Sequence, residues 1–321
     1  VKSGALWVYV LRRLLVAIPL IVLISLGVFT LINLAPGDPA RALVGSRQAT
    51  PETLAAIREQ YHLDDPFLVQ YLTWLRQVVT GDLGRSIQGS QLVTTMIWDR
   101  LPLTVFLGLY GSVVALGMGI PLGILAALKR GSEIDRGVVT FGVVGVSAPA
   151  FATGIFLLYV FGVILGWFPI FGQGEGFLDR AWHLTLPAVA LGISVMGLVV
   201  KITRASMLEE LQKDYVAFAR ARGLGRRRIT MSYVLRNALI PVVTAAGLIV
   251  VGLLTGAVLV EVTFGLPGLG MLLVNAVTQR DIPVIQGIVL VLAVFVVLMH
   301  VVIDVLYTVI DPRIRFGRME A

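Results

Sequence analysis

The sequence predicts an all-α membrane protein with six transmembrane helices and both termini on the cytoplasmic side. Three observations predict it. The 321 residues are 57% hydrophobic and only 14% charged, against about 25% charged in a soluble domain, so too few polar side chains exist to cover a water-facing surface. Six charge-free runs are long enough to cross the hydrocarbon core, which takes roughly 20 residues at about 1.5 Å each. The Lys and Arg residues, finally, gather in alternate connecting segments. The net charge is +7 and there is no Cys, which excludes a disulfide framework, a thiolate metal site and a cysteine nucleophile.

The first run, 14–34, follows Arg12 and Arg13. An Arg-Arg pair before an apolar stretch also opens signal peptides, but their apolar regions run about 7–15 residues, so a retained helix is expected here. Asn33 reads as its terminator before Pro36. The second run is 101–128. The third, 137–174, exceeds one span; a single helix ending near Trp167 is expected, with the Gly- and Pro-containing tail 168–174 as loop. The fourth, 181–200, stops at Lys201, and the fifth, 237–260, stops at Glu261, read as a cap on that helix end. The sixth, 282–303, stops at Asp304, which could pair with His300 at i, i+4.

Residues 262–279 are also uncharged, but Gly265, Pro267, Gly268 and Gly270 would leave backbone groups unpaired in lipid. An extracytoplasmic loop with a short helix around 271–278 is expected. The chain therefore divides into an N-terminal segment and helix 1 (1–34), an extracytoplasmic region (35–100), a five-helix core (101–310) containing a cytoplasmic loop (201–236), and a C-terminal tail (311–321).

Positive charge sets the orientation. Of 26 Lys and Arg, 18 fall in the N-terminus, 129–136, 201–236 and the C-terminus, nine of them in 201–236 alone. The other eight lie in 35–100, 167–183 and 261–283, six of them in the long first segment where the rule is weak. The basic balance thus marks the cytoplasmic face, beside anionic lipid, rather than a nucleic-acid surface.

Catalytic patterns are absent from the sequence. No GxxxxGK[ST] loop offers a phosphate cradle. The three histidines, His62, His183 and His300, form no HExxH. Intramembrane ionisable groups, which proton-coupled carriers need, are few.

The loop 201–236 carries the most specific local pattern. Residues 206–209, SMLE, fit a capping box. Asp214 could cap a short helix over 215–222, which Gly223 would end in a left-handed conformation. Arg220 and Arg222 fall in its last turn and complement the dipole. Tyr215, Phe218 and Arg222 share a face at i, i+3, i+7, and the remaining positions are largely Ala. So slim a helix is expected to bury little against its own chain. It reads either as an ordinary amphipathic surface helix or as a docking helix that inserts aromatic anchors into a cytoplasmic partner.

The run 203–224, TRASMLEELQKDYVAFARARGL, resembles the cytoplasmic coupling loop of ABC importer permeases. Residues 235–244, LRNALIPVVT, point to the dipeptide/oligopeptide/nickel branch, and APGDP at 35–39 is similar to that branch's opening motif. So are YHLDDP (61–66), Gln70, Tyr71, Trp74, GDLGRS (81–86), PLG (121–123), KRGS (129–132), FGLPGLG (264–270), QRDIPVIQG (279–287) and DPRIR (311–315). Together they resemble the first-permease subunit over nearly the whole chain. The departure lies at Ala217-Phe218-Ala219, where the general motif has Glu-Ala-Ala; only Ala219 and Gly223 fit.

The resemblance implies a six-helix, non-enzymatic permease of a prokaryotic plasma membrane, forming half of a pathway for peptides. It implies a second homologous permease, two cytoplasmic ATPases that bind ATP and Mg, and an extracytoplasmic binding protein; the chain itself is expected to hold no cofactor and no metal. Asp214, Tyr215, Phe218, Ala219, Arg220, Arg222 and Gly223 are the expected ATPase-coupling residues, with Tyr215 and Phe218 filling the cleft. Asp82, Arg85, Arg280 and Asp281 are offered for the outer gate or binding-protein contact. Nickel complexes, glutathione or another small solute are alternative cargoes. A stand-alone carrier or channel is the alternative of another class, and a membrane-embedded hydrolase is disfavoured by the missing constellation.

Overall fold

The computed structural model describes residues 3–34, 40–41, 50–60 and 63–310. The motif at 35–39, His62 and the tail 311–321 lie outside the described residues, as do the side chains of Asn33 and Asp304. Helices dominate: α1 (Ser3–Leu34), α2 (Pro51–Gln60), α3 (Phe67–Val79), α4 (Val93–Leu128), α5 (Glu133–Ser147) and α6 (Ala150–Leu157), which continues as a π-helix over Leu158–Ile164. Then follow α7 (Gly176–His183), α8 (Thr185–Glu210), α9 (Asp214–Ala221), α10 (Leu235–Thr263), α11 (Leu269–Thr278) and α12 (Ile282–Ile310). Among the described residues the β structure is one isolated bridge, Arg85 to Leu92.

Among the described residues five helices are long and apolar enough to cross a membrane: Leu11–Thr30, Val93–Leu128, Thr185–Glu210, Arg226–Thr263 and Ile282–Ile303. A sixth span exists if the bent pair Glu133–Ser147 and Ala150–Ile164 is counted as one. The expectation of one helix ending near Trp167 is changed by that bend, and the second half ends at Ile164. The two halves meet at 105°. Ala148 is extended (ψ 125) and Pro149 follows it; a residue before proline is pushed out of the α region, and proline brings no N–H.

Two further expectations change. The fourth helix does not stop at Val200; α8 runs on through Lys201 to Glu210. No Gly or Pro interrupts the chain between Leu198 and Arg222, and Arg204 finds a carboxylate partner in Asp135. Ser206 and Glu209 consequently sit inside a helix rather than forming a capping box at its start. Glu261, read as a helix-end cap, is 0% exposed. Its Oε1 accepts a 2.6 Å bond from Thr104 Oγ1, which lowers the cost of enclosing a carboxyl there. The segment 262–279 is as expected, a turn followed by α11, which starts two residues early, at Leu269.

The chain forms two compact units. The described parts of Val1–Leu103 and Pro267–Val301 make the first, whose core joins Val93, Ile97, Leu269, Leu272, Val284 and Ile288. Here Gln286 Nε2 donates to the backbone oxygen of Val28 at 3.2 Å. Thr104–Leu266 forms most of the second. Within it α5 crosses α8 at Gly142 and Gly197, and a Cβ on Gly197 would lie 2.0 Å from the Gly142 oxygen. Only glycine permits that approach, which draws the backbones together as small residues do in membrane helix pairs.

Candidate functional site

The second unit positions α9 from both ends. α8 ends at Glu210, and the chain turns through 211–213 before α9 begins at Asp214. Lys213 occupies the N-cap position, with Asp214 in the first helical turn instead of capping it. At the other end Gly223 takes φ +75. Its N–H donates to the Arg220 oxygen at 2.9 Å and the Leu224 N–H to the Ala219 oxygen at 3.2 Å, which satisfies carbonyls left over at the helix end.

α9 buries more than its composition suggested. Val216 and Ala219 are buried in a cluster with Met207, Ile229, Val234 and Ala238. The expectation that α9 finds little to pack against on its own chain is therefore corrected: extended α8 and the π-helical turn Ile229–Val234 supply the missing surface. Ala219 sits on this inward face, where a small side chain lets the helix approach closely.

Tyr215 is half-buried, and its hydroxyl donates to Glu210 Oε2. Asn237 Nδ2 donates to the same hydroxyl oxygen at 3.4 Å. Lys213 Nζ reaches Glu210 Oε1 at 2.5 Å and Glu209 Oε1 at 3.5 Å. Burial, and then the Glu210 carboxylate, push the Tyr215 hydroxyl above its ordinary pKa, so it remains a donor. The Lys213 ammonium is raised by its bond to Glu210. Asp214, Phe218, Arg220 and Arg222 are exposed. Phe218 stands out at 70%.

A second joint went unread in the sequence. Arg204 clamps Asp135 in a bidentate pair, Nε to Oδ1 at 2.7 Å and Nη2 to Oδ2 at 2.8 Å, and the Gly131 N–H adds a third donor at 2.9 Å. Glu210, Asn237, Asp135 and Arg204 were all missed. Glu210 and Tyr215 are five residues apart, a spacing that no continuous helix brings together.

In the first unit, Asp281 is buried at the start of α12. It accepts bonds from Ser86 Oγ at 2.5 Å, the Ile87 N–H at 3.2 Å and the Gln88 N–H at 3.4 Å. It therefore clasps 86–88 and faces inward. Asp82, Arg85 and Arg280 are exposed. Asp82 Oδ1 accepts from the Gly84 N–H at 2.9 Å, Arg85 Nη1 donates to the Ser90 oxygen at 3.2 Å, and Arg280 has φ +55. Among the described residues no group of three or more His, Cys, Asp or Glu could hold a metal.

Comparison with known proteins decides what this helix assembly is. Residues 119–316 match the family described as the binding-protein-dependent transport system inner membrane component, and residues 6–108 match that family's N-terminal component. The chain belongs to this family. The permease is 40% identical over 311 residues to a putative peptide transport system permease protein of Brucella abortus, covering 96% of this chain and 98% of that one. It is 38% identical over 333 residues to the dipeptide transport system permease protein DppB of Escherichia coli K12, again covering 96% and 98%. Among solved structures, the MetNI methionine ABC transporter in an inward-facing form superposes with a TM-score of 0.57 at 18% identity, over 68% of this chain and 98% of that one. At that identity the likeness establishes the fold.

The permease is thus a multi-pass plasma-membrane subunit of an ATP-driven importer, and not an enzyme. Membership implies in general a partner permease, a separate ATPase and a binding protein.

Proposed function

We propose that this permease forms half of the pathway of a peptide importer. The names of the relatives, at 36–40% identity, support peptides as the cargo. In this reading α5 and α6 make one broken span, so the chain crosses six times with both termini in the cytoplasm. Segment 1–34 is the entry span, 35–100 the extracytoplasmic region, 101–310 the core with coupling loop 201–236, and 311–321 the cytoplasmic tail. A second homologous permease completes the pathway, two cytoplasmic ATPases bind ATP and Mg, and an extracytoplasmic binding protein delivers the peptide.

The observation that carries the coupling role is the outward ring of Phe218 on a helix whose opposite face is packed. Leaving a ring of that size in water forgoes about 2 kcal/mol of burial, which a cleft on an ATPase subunit recovers. Arg220 and Arg222 flank it to meet an acidic rim, with Asp214 at the start of the helix. Tyr215 and Ala219 hold the helix to its own bundle, and Gly223 turns the chain, so movement of the docked helix passes into the bundle as a rigid body. On the other side, Asp82, Arg85 and Arg280 contact the binding protein, while Asp281 keeps 86–88 in place.

The test is the complete complex in nanodiscs or liposomes, supplied with binding protein and labelled peptides. Uptake is expected only with ATP, and Phe218→Asp is expected to leave the permeases folded while the ATPases dissociate. Uptake without ATP, or full ATPase retention by Phe218→Asp, would overturn the reading.

A further inference from the structure

α3 presents three faces of different chemistry. One packs on α1: Phe67, Tyr71 and Trp74 surround Phe29, with ring centroids at 5.4, 5.7 and 5.5 Å. The second is a stripe of Leu68, Leu72 and Val79 at i, i+4, i+11, exposed by 63%, 54% and 79%. The third is polar. Gln70, Thr73 and Gln77 line a cavity of about 580 Å³ together with Asp82 and Arg85.

The contact with α1 sets the depth of α3. The Tyr71 hydroxyl lies 2.8 Å from Ser25 Oγ and 3.4 Å from the Val22 oxygen. The apolar span of α1 covers Leu11–Thr30. Ser25 and Val22 therefore sit at least about 8 and 12 Å inside its C-terminal end, at about 1.5 Å per residue, since α1 runs on to Leu34. α3 has 13 residues, too few to cross the bilayer when about 20 are needed. It is held beside the span, within reach of acyl chains, without crossing.

We infer that α3, unlike the rest of the extracytoplasmic segment 35–100, turns back beside α1 as a lipid-embedded helix, with Leu68, Leu72 and Val79 against acyl chains and Gln70, Thr73 and Gln77 walling a hydrated cavity. Lipid suits the stripe better than a protein does. α1, on which α3 packs, exposes Leu15, Val16, Ile18 and Leu23 as a span in lipid must. Leu68, Leu72 and Val79 offer no hydrogen-bonding group or aromatic anchor of the kind that dominates protein interfaces; exposed Arg76, four residues after Leu72, borders the stripe on the side of the polar face, where a long stem carries its charge out of the apolar surface. A helix with one apolar and one polar face is the form that settles at this boundary.

The sequence contains no Cys, so single-cysteine variants read cleanly. Leu68→Cys, Leu72→Cys and Gln77→Cys would be compared in the assembled importer in nanodiscs, with assembly checked by size exclusion. A charged thiosulfonate is expected to label the two stripe positions at least about tenfold more slowly than Gln77→Cys, because the reactive thiolate is disfavoured in hydrocarbon. Spin labels at the stripe should collide more with oxygen than with a soluble nickel chelate, and the label at 77 should show the reverse. Labelling of Leu72→Cys within about twofold of Gln77→Cys would overturn the inference, since an aqueous thiol ionises freely. Shielding from both collision reagents, the mark of a protein cover, would overturn it too.

Discussion

The Tyr215 hydroxyl donates to the Glu210 carboxylate across the turn between α8 and α9. Lys213 closes on the same carboxylate at 2.5 Å, and Asn237 of α10 reaches the Tyr215 oxygen. One acceptor thus gathers the end of a long membrane helix, the following turn and the short exposed helix, making the joint stiff where a polar linker would be flexible.

Tyr215→Phe keeps the ring and removes the donor. A cost of about 1.5–3 kcal/mol is expected, the usual worth of a hydrogen bond to a charged group, together with more ATP consumed per peptide moved. Thermal melting of the complex and the ATP-to-peptide ratio measure both. Combined with Glu210→Gln, the effects should fall short of additive by about 0.5–3 kcal/mol, because contacting residues couple.

Neighbouring positions on α9 should separate stability from docking. Val216→Ala deletes buried methyls and should cost about 1–2 kcal/mol by comparison with other small core truncations. Phe218→Ala should change permease stability by less than about 0.5 kcal/mol, as exposed positions do, yet weaken ATPase binding. Melting of the permease pair and pull-down of the ATPases distinguish the two.

Gly223 has φ +75 and open space where a Cβ would stand, so the obstacle to substitution there is backbone conformation rather than crowding. Gly223→Val should cost about 1–2 kcal/mol in the left-handed region and reduce uptake. Gly223→Asn, which visits that region more readily, should restore much of it. Equal uptake by both variants would contradict the argument.

Asp135→Ala leaves the Arg204 guanidinium and the Gly131 N–H without their shared acceptor. About 3 kcal/mol is expected, the low end for breaking an enclosed pair, because Arg204 retains some solvent contact. Arg204→Ala on the same background should add little. Denaturation of the reconstituted complex would show either result.

In the first unit, Asp281→Ala removes an acceptor from Ser86, Ile87 and Gln88 at once. Each stranded donor costs about 1–3 kcal/mol when enclosed, so protease sensitivity at 86–90 should rise sharply. Arg280→Ala, at an exposed neighbouring position, should leave that cleavage rate unchanged.

The break at Pro149 shows where reading the sequence meets its limit. Proline and its effect on Ala148 were visible, but the run 137–174 carries no charge, and apolarity alone is indifferent to a bend. The short helix α9 and the left-handed Gly223 were legible because both depend on local backbone preferences. The inward face of α9 was not, since the α8 extension that covers it is set by packing.

By itself the sequence determined that this chain lives in a membrane, roughly where its apolar segments lie, and which family it resembles. Transfer into lipid is a property of some 20 consecutive residues and needs no knowledge of neighbours. Only the tertiary structure decided that Arg204 meets Asp135 across 69 residues and Ser86 meets Asp281 across 195, or that Glu261 is enclosed beside Thr104. Those bonds form where helix packing brings distant donors and acceptors within about 3 Å, a distance that no spacing along the chain encodes.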